Sequence, residues 1–415
     1  MLAALFVPLA PLELRRVPRA AWVIVALVIG VPLIQLIPLP PLIWQSLPGR
    51  ELQVKALALV AADDTWRPWS LAPSRTMASL LSLGPPLLML ALTAALGRRG
   101  KQWLIRIIAL MTLATLLLGA LQLSSGEDSP FHLYGVTVPM LVGFQANHNS
   151  TADLLLIGLM AIPLVVIDLV EQRVVPNRAG PVLGIAGAAM AVVALGIVLT
   201  ASRMGIFLMP IALAASLWIL RPWIQFSMRR FAYAVGSLLV VALLALFVLR
   251  NNPAIGAVLA RFDFGGELRP QLWVDSAYIA QKYFPFGVGM GDFVPAFIAD
   301  ERIESIWPSL PNRAHNDFLE LACETGVVGL GALSAISWLL IGALRGKLKS
   351  ETGLPAAMAI FAAAALAILA IHSLVDYPFR SMALACLGAV CAGLLLGPRQ
   401  SGEATRNARS AGKTR

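Results

Sequence analysis

The chain has 415 residues, of which 58% are hydrophobic and only 13% charged, and its mean hydropathy is +0.79. That balance excludes a soluble multi-domain enzyme and places the chain among polytopic membrane proteins. The formal net charge of +10 then fits basic loops attracted to anionic lipid headgroups better than nucleic-acid binding.

Windows of about 17–25 apolar residues, the length that crosses a bilayer, predict ten spans, near 20–38, 78–96, 103–121, 151–169, 181–199, 204–220, 231–249, 322–344, 355–372 and 381–397. Residues 1–12 are apolar but broken by Pro8 and Pro11, so they predict an interfacial or partial helix. Arg15 and Arg16 follow that stretch and no small-residue cleavage site does, so no removed signal peptide is expected. The expected fold is an all-α polytopic membrane protein with about 10–12 transmembrane helices. It divides into N-terminal spans (1–249), a large hydrophilic loop (250–321), C-terminal spans (322–397) and a disordered basic tail (398–415).

Basic residues gather on one side. With the N-terminus inside, Arg15, Arg16 and Arg19, then Arg98 to Arg106, Arg173 and Arg178, Arg221 to Arg230, Arg345 to Lys349 and the tail all become cytoplasmic, and both termini are inside. The three cysteines, Cys323, Cys386 and Cys391, all fall in spans, so neither a disulfide framework nor a thiolate metal site is implied.

The opposite side carries the unusual residues. In loop 39–77, Trp66 and Trp69 suit the membrane–water interface. Asn147, His148 and Asn149 precede one span. Arg203 lies between two apolar runs with no acid within a helical turn, which is costly for an arginine at membrane depth unless it has a partner or a function. Ser202 beside it is placed to cap the next helix.

The loop 250–321 carries Arg250, Arg261, Arg269, Lys282, Arg302 and Arg313, and substrate recognition is expected there. Pro270 suits the start of a helix lying along the membrane surface. Gly287, Gly289 and Gly291 lack a preceding strand, so they predict a tight turn rather than a nucleotide site.

His315 and Asn316 lead into an apolar helix together with three carboxylates. Partial positive charge and unpaired N–H groups at a helix start favour a neutral imidazole and a nearby anion. His372 and Asp376, four apart, read as a structural pair at a helix end, and His132 shows no local constellation. Two arginines with one histidine fit phosphoryl binding beside a base, because guanidinium forks match phosphate oxygens. No HExxH or DxD spacing points to a metal.

Four separated stretches, FQANHNSTA (144–152), LTASRMG (199–205), LRPQLW with FPFGVGMGDF (268–293) and HNDFLELACETGVVGL (315–330), resemble the O-antigen ligase and polymerase superfamily, with HSLVDYP (372–378) as a weaker fifth. The resemblance implies a GT-C-like inner-membrane glycosyltransferase with a periplasmic active site and an undecaprenyl-diphosphate-linked glycan as donor. Its ligase branch implies transfer of O-antigen to lipid A–core, with no metal, nucleotide or other cofactor. Residue by residue, it implies diphosphate binding by Arg203 and Arg269, acceptor activation by His315, and substrate contacts from Asn147, His148 and Asn316. His148 stands where many relatives have arginine. A polymerase using the same donors is the nearest rival. A lipid-linked sugar transporter, a different class, predicts internal repeats or broken helices, and no convincing repeat is visible in the sequence.

Overall fold

A computed structural model describes residues 16–125, 129–134, 140–172, 180–222, 256, 269–302 and 311–398. The expected interfacial stretch 1–12, the span 231–249, the tail 399–415 and much of the loop 250–321 lie outside these residues. Among the described residues the protein is all-α apart from one two-residue strand pair. Among the described residues seven helices are long and apolar enough to cross a membrane, and Arg19–Gln35 and Met382–Leu396 are shorter apolar helices. This is the expected polytopic all-α architecture.

Contacts divide the chain into two compact units that do not follow the linear order. The first comprises Met1–Ala95, Gly266–Arg345 and Leu369–Pro398, and the second comprises Leu96–Gly265, Gly346–Ile368 and Arg399–Arg415.

The first unit begins with α1 (Arg19–Gln35), followed by β1 (Pro38–Leu39), short helices α2 (Pro41–Trp44) and α3 (Glu51–Ala58), and β2 (Arg67–Pro68). The strands pair antiparallel, Pro38 with Pro68 and Leu39 with Arg67. The chain then enters α4 (Pro73–Ser82) and α5 (Gly84–Ala95). Trp66 is 66% exposed, as an interfacial residue would be, but Trp69 is buried. Its indole N–H donates to Gly287 O at 3.1 Å and its ring meets Phe286 edge-on. Trp69 is therefore a core anchor, a correction to its expected place at the membrane interface, because an indole N–H taken out of water must find an acceptor.

The described stretch 269–302 of the hydrophilic loop packs on these segments, with Leu71 N donating to Val288 O at 2.8 Å. Helices α10 (Arg269–Lys282) and α11 (Phe293–Asp300) flank the turn at Gly287, Gly289 and Gly291, where all three glycines have positive φ. These glycines form the tight turn expected from the sequence. Helix α10 buries Asp275, Ser276 and Ile279, and Ile279 joins a core with Phe293, Phe297 and Cys323.

The long helix α12 (Asp317–Ser350) is broken at Gly326, whose φ of 54° and ψ of −142° are non-helical. The freed N–H of Val327 donates to Pro285 O at 2.9 Å, so the break is satisfied by the turn before the glycines. After α13 (Gly353–His372) and a short 3-10 turn at Pro378–Arg380, α14 (Met382–Leu396) packs closely on α5. Gly393 permits that approach, since a Cβ there would lie 2.9 Å from Leu90 O.

In the second unit, α7 (His148–Glu171) is buried nearly all round, as expected of a helix apolar on every face. It packs against α6 (Arg98–Ser124), α8 (Gly180–Leu199) and α9 (Arg203–Leu220). Gly158 sits against Thr112 and Gly196 against Leu116, where an added Cβ would lie 1.8 Å from Thr112 Oγ1 and 2.1 Å from Leu116 Cδ2 and force those side chains to shift. The two ends of this bundle differ. At one, Arg98 pairs with Glu171 at 2.6 Å, Arg106 Nε with Asp168 at 2.9 Å, and Leu354 N donates to Glu171. At the other, Asn147 caps α7 through Asn149 N and Ser202 caps α9 through Gly205 N.

Candidate functional site

The His315 region is built by helix-end chemistry. Asn316 is the N-cap of α12, its Oδ1 accepting from Leu319 N at 3.0 Å. The Asp317 N–H donates to Ser373 O at 2.9 Å, and Asn316 Nδ2 donates to Leu374 O. Hydrogen bonds therefore engage these helix-start donors internally, in contrast to the expectation that they would be offered to an anion. The ties also bring the loop after α13 against the residue preceding α12.

His315 itself has φ +49°, a left-handed conformation uncommon for a residue with a side chain. Trp273 on α10 donates to its carbonyl at 3.3 Å, and its ring stands edge-on to Tyr377. Its Nδ1 lies 3.2 Å from Asp376 Oδ1, close but not aligned as a well-formed hydrogen bond. The same carboxylate has Arg269 at 4.0 Å and His372 Nε2 at 3.9 Å from its other oxygen. Burial works against the charge on Asp376, yet His315, His372 and Arg269 hold it below the usual carboxylate range. The side chain of His315 is 28% exposed and that of Asp376 only 4%. A partly open imidazole backed by a buried carboxylate, with a guanidinium alongside, can accept a proton and keep the resulting imidazolium paired.

Arg269 and His315 are thus brought together through Asp376, a residue that the sequence places only in a structural pair with His372. That pair exists, but it is one arm of a larger cluster. Asn316 serves as cap and strap.

The three carboxylates after His315 are engaged internally. Arg380 Nη2 reaches Glu324 at 2.8 Å and Glu320 at 3.5 Å, and its Nε reaches Asp317 at 3.6 Å. Arg313 pairs with Glu320 at 3.0 Å, and Glu324 also accepts from Gly291 N. Burial opposes charge on Arg380, but Glu324, Glu320 and Asp317 hold it above its already high ordinary value. The sequence reading missed Arg380. Like Arg203 it borders an apolar run, but Asp376 lies four residues before it, so it does not stand out as an arginine without a nearby acid.

Arg203, Asn147 and His148 belong to the second unit. Arg203 is the first residue of α9 and His148 the first of α7. The two helix starts are neighbours, since a Cβ on Gly205 would lie 2.6 Å from Ala152 Cβ. Ser202 caps its helix as the sequence predicts.

The fold defines a polytopic, all-α membrane protein, and within its first unit the ends of α10, α12 and α13 converge on a histidine, a buried carboxylate and an arginine. Residues 188–334 match the family model described as O-antigen ligase. The matched stretch contains Arg203, Arg269, His315 and Asn316. No curated protein matches the chain. Five chains among solved structures do. One of these, from "Structural coordination of polymerization and crosslinking by a peptidoglycan synthase complex", is 20% identical, covering 83% of this chain and 94% of that one with a TM-score of 0.42.

Proposed function

We propose that the protein is an O-antigen ligase, a membrane glycosyltransferase that moves a glycan from undecaprenyl diphosphate to lipid A–core on the periplasmic face of the inner membrane. The carrying observation is His315 against Asp376, with Arg269 on the same carboxylate. The family match supports the class of reaction. In this reading Asp376 engages Nδ1 of His315 and leaves Nε2 for the acceptor hydroxyl. The hydroxyl oxygen bonds to the anomeric carbon as the bond from that carbon to the diphosphate oxygen breaks. The proton goes to His315, undecaprenyl diphosphate leaves, and direct displacement inverts the anomeric configuration. Arg269 and Arg203 stabilise diphosphate charge, and Asn147 and His148 contact the glycan end of the donor.

The test is reconstitution of the purified protein with lipid-linked donor and two acceptors, lipid A–core and a second lipid-linked glycan. Product on lipid A–core alone supports the ligase. Extension of the second glycan alone makes the protein a polymerase, and donor translocation without a new glycosidic bond makes it a transporter.

Two further results are expected. Arg269→Lys and Arg203→Lys each lose most transfer although charge is kept, because an ammonium cannot supply a planar bidentate fork. Full transfer in both would mean that positive potential suffices. Treatment with EDTA leaves transfer unchanged, since arginines take the place of a divalent ion on the diphosphate. Loss of transfer that a divalent ion restores would overturn this assignment.

A further inference from the structure

Asp317, Glu320 and Glu324 fall on one face of the first turns of α12, and all three are buried. Like charges so placed repel, and burial makes each more costly unless it is paired. Arg380 contacts all three, and it follows Asp376 by four residues in the loop between α13 and α14. The carboxylates that it gathers hold His315 from both sides. Ahead of His315, Ala314 N donates to Glu320 Oε2 at 2.9 Å. Behind it, Asp317 Oδ2 accepts from Ser373 Oγ at 3.0 Å and Phe379 N at 3.1 Å. A left-handed φ at a residue with a side chain persists only where the surroundings enforce it.

We propose that Arg380 is a positioning residue for His315, clamping the start of α12 to the loop that carries Asp376 and thereby setting the Asp376–His315 pair. The importance of that pair for transfer rests on the function proposed above, but the clamp itself does not. A salt bridge that merely stabilised the fold would leave the environment of His315 unchanged in any variant that still folds.

The measurement is the pH profile of diethyl pyrocarbonate modification at His315, resolved by peptide mass spectrometry on the full-length protein. Asp376, Arg269, Tyr377 and His372 surround the site, and Asp317 lies two residues further along the chain. Buried His372 reports any general opening. In Arg380→Gln the midpoint for His315 is expected to move to lower pH while His372 stays protected, because the imidazolium loses the carboxylate now held 3.2 Å from its Nδ1. Arg380→Lys and Ser373→Ala are expected to give smaller shifts of the same sign. An unchanged midpoint overturns the proposal. So does an upward one, which would mean that the uncovered carboxylates act through their field while the pair stays intact. If Arg380→Gln does not fold, the two milder variants decide, and no downward shift in either overturns the clamp. In the transfer assay, Arg380→Gln lowers kcat by about 10²-fold, the scale of a misplacement near 1 Å, with the donor KM little changed. Absence of transfer by the wild type would remove the proposed function while the modification profile still judged the clamp.

Discussion

In His315→Ala, transfer at saturating donor and acceptor falls by about 10²-fold or more, the loss expected for a positioned general base, while the lipid-diphosphate donor still binds. The imidazole is partly open and sits on a buried carboxylate, so its removal strikes the proton transfer before the donor contact. The wild-type rate falls on acidification, because the base must be neutral to take the hydroxyl proton and the protonated imidazole, paired with Asp376, cannot. Donor binding is measured separately on the variant with radiolabelled or fluorescent lipid. Near-normal turnover, or lost binding with an intact chemical step, would move His315 from base to binding or structural residue.

The largest structural effect is expected at the break in α12. Gly326 has a φ of 54°, and a Cβ there would lie 2.0 Å from Pro285 O. Gly326→Ala therefore carries backbone strain of about 1–3 kcal/mol together with a backbone clash that no rotamer can relieve. Lower yield and a marked drop in thermal stability of the purified protein should follow. Gly331→Ala on the same helix has nothing within 4 Å of the added Cβ, and should be tolerated or gain up to about 1 kcal/mol from helix propensity. Equal stability of the two variants would mean that the helix is not broken at Gly326.

These contrasts mark what the sequence could carry. Spans were legible because lipid demands long apolar runs, and Ser202 was legible because capping is local. Trp69 was not, since whether an indole meets lipid headgroups or Gly287 O depends on a segment more than two hundred residues away in the chain. The His315 motif pointed to the right junction, but local arguments could not see that Asp376 would back the histidine or that Arg380 would gather the carboxylates. Both come from a loop beyond the next helix, and partner choice among buried charges is a tertiary matter. The break at Gly326 was equally hidden, although Gly326 lies inside the 315–330 stretch. Broken helices are one mark of transporters. This one falls near the start of α12 and is filled by Pro285 O, so it shapes the protein interior without exposing backbone to an ion path.

The contrast between the two ends of the α6–α9 bundle has a consequence for behaviour in salt. Screening weakens exposed charge pairs first and leaves buried pairs and neutral hydrogen bonds largely untouched. Arg98, half exposed in its pair with Glu171, should release as ionic strength rises, whereas Asp168, nearly covered by Arg106, should hold. The capped ends at Asn147 and Ser202 should not respond. Hydrogen exchange in high salt should therefore quicken around Leu354, whose amide depends on Glu171, while the amides of Asn149 and Gly205 keep their protection.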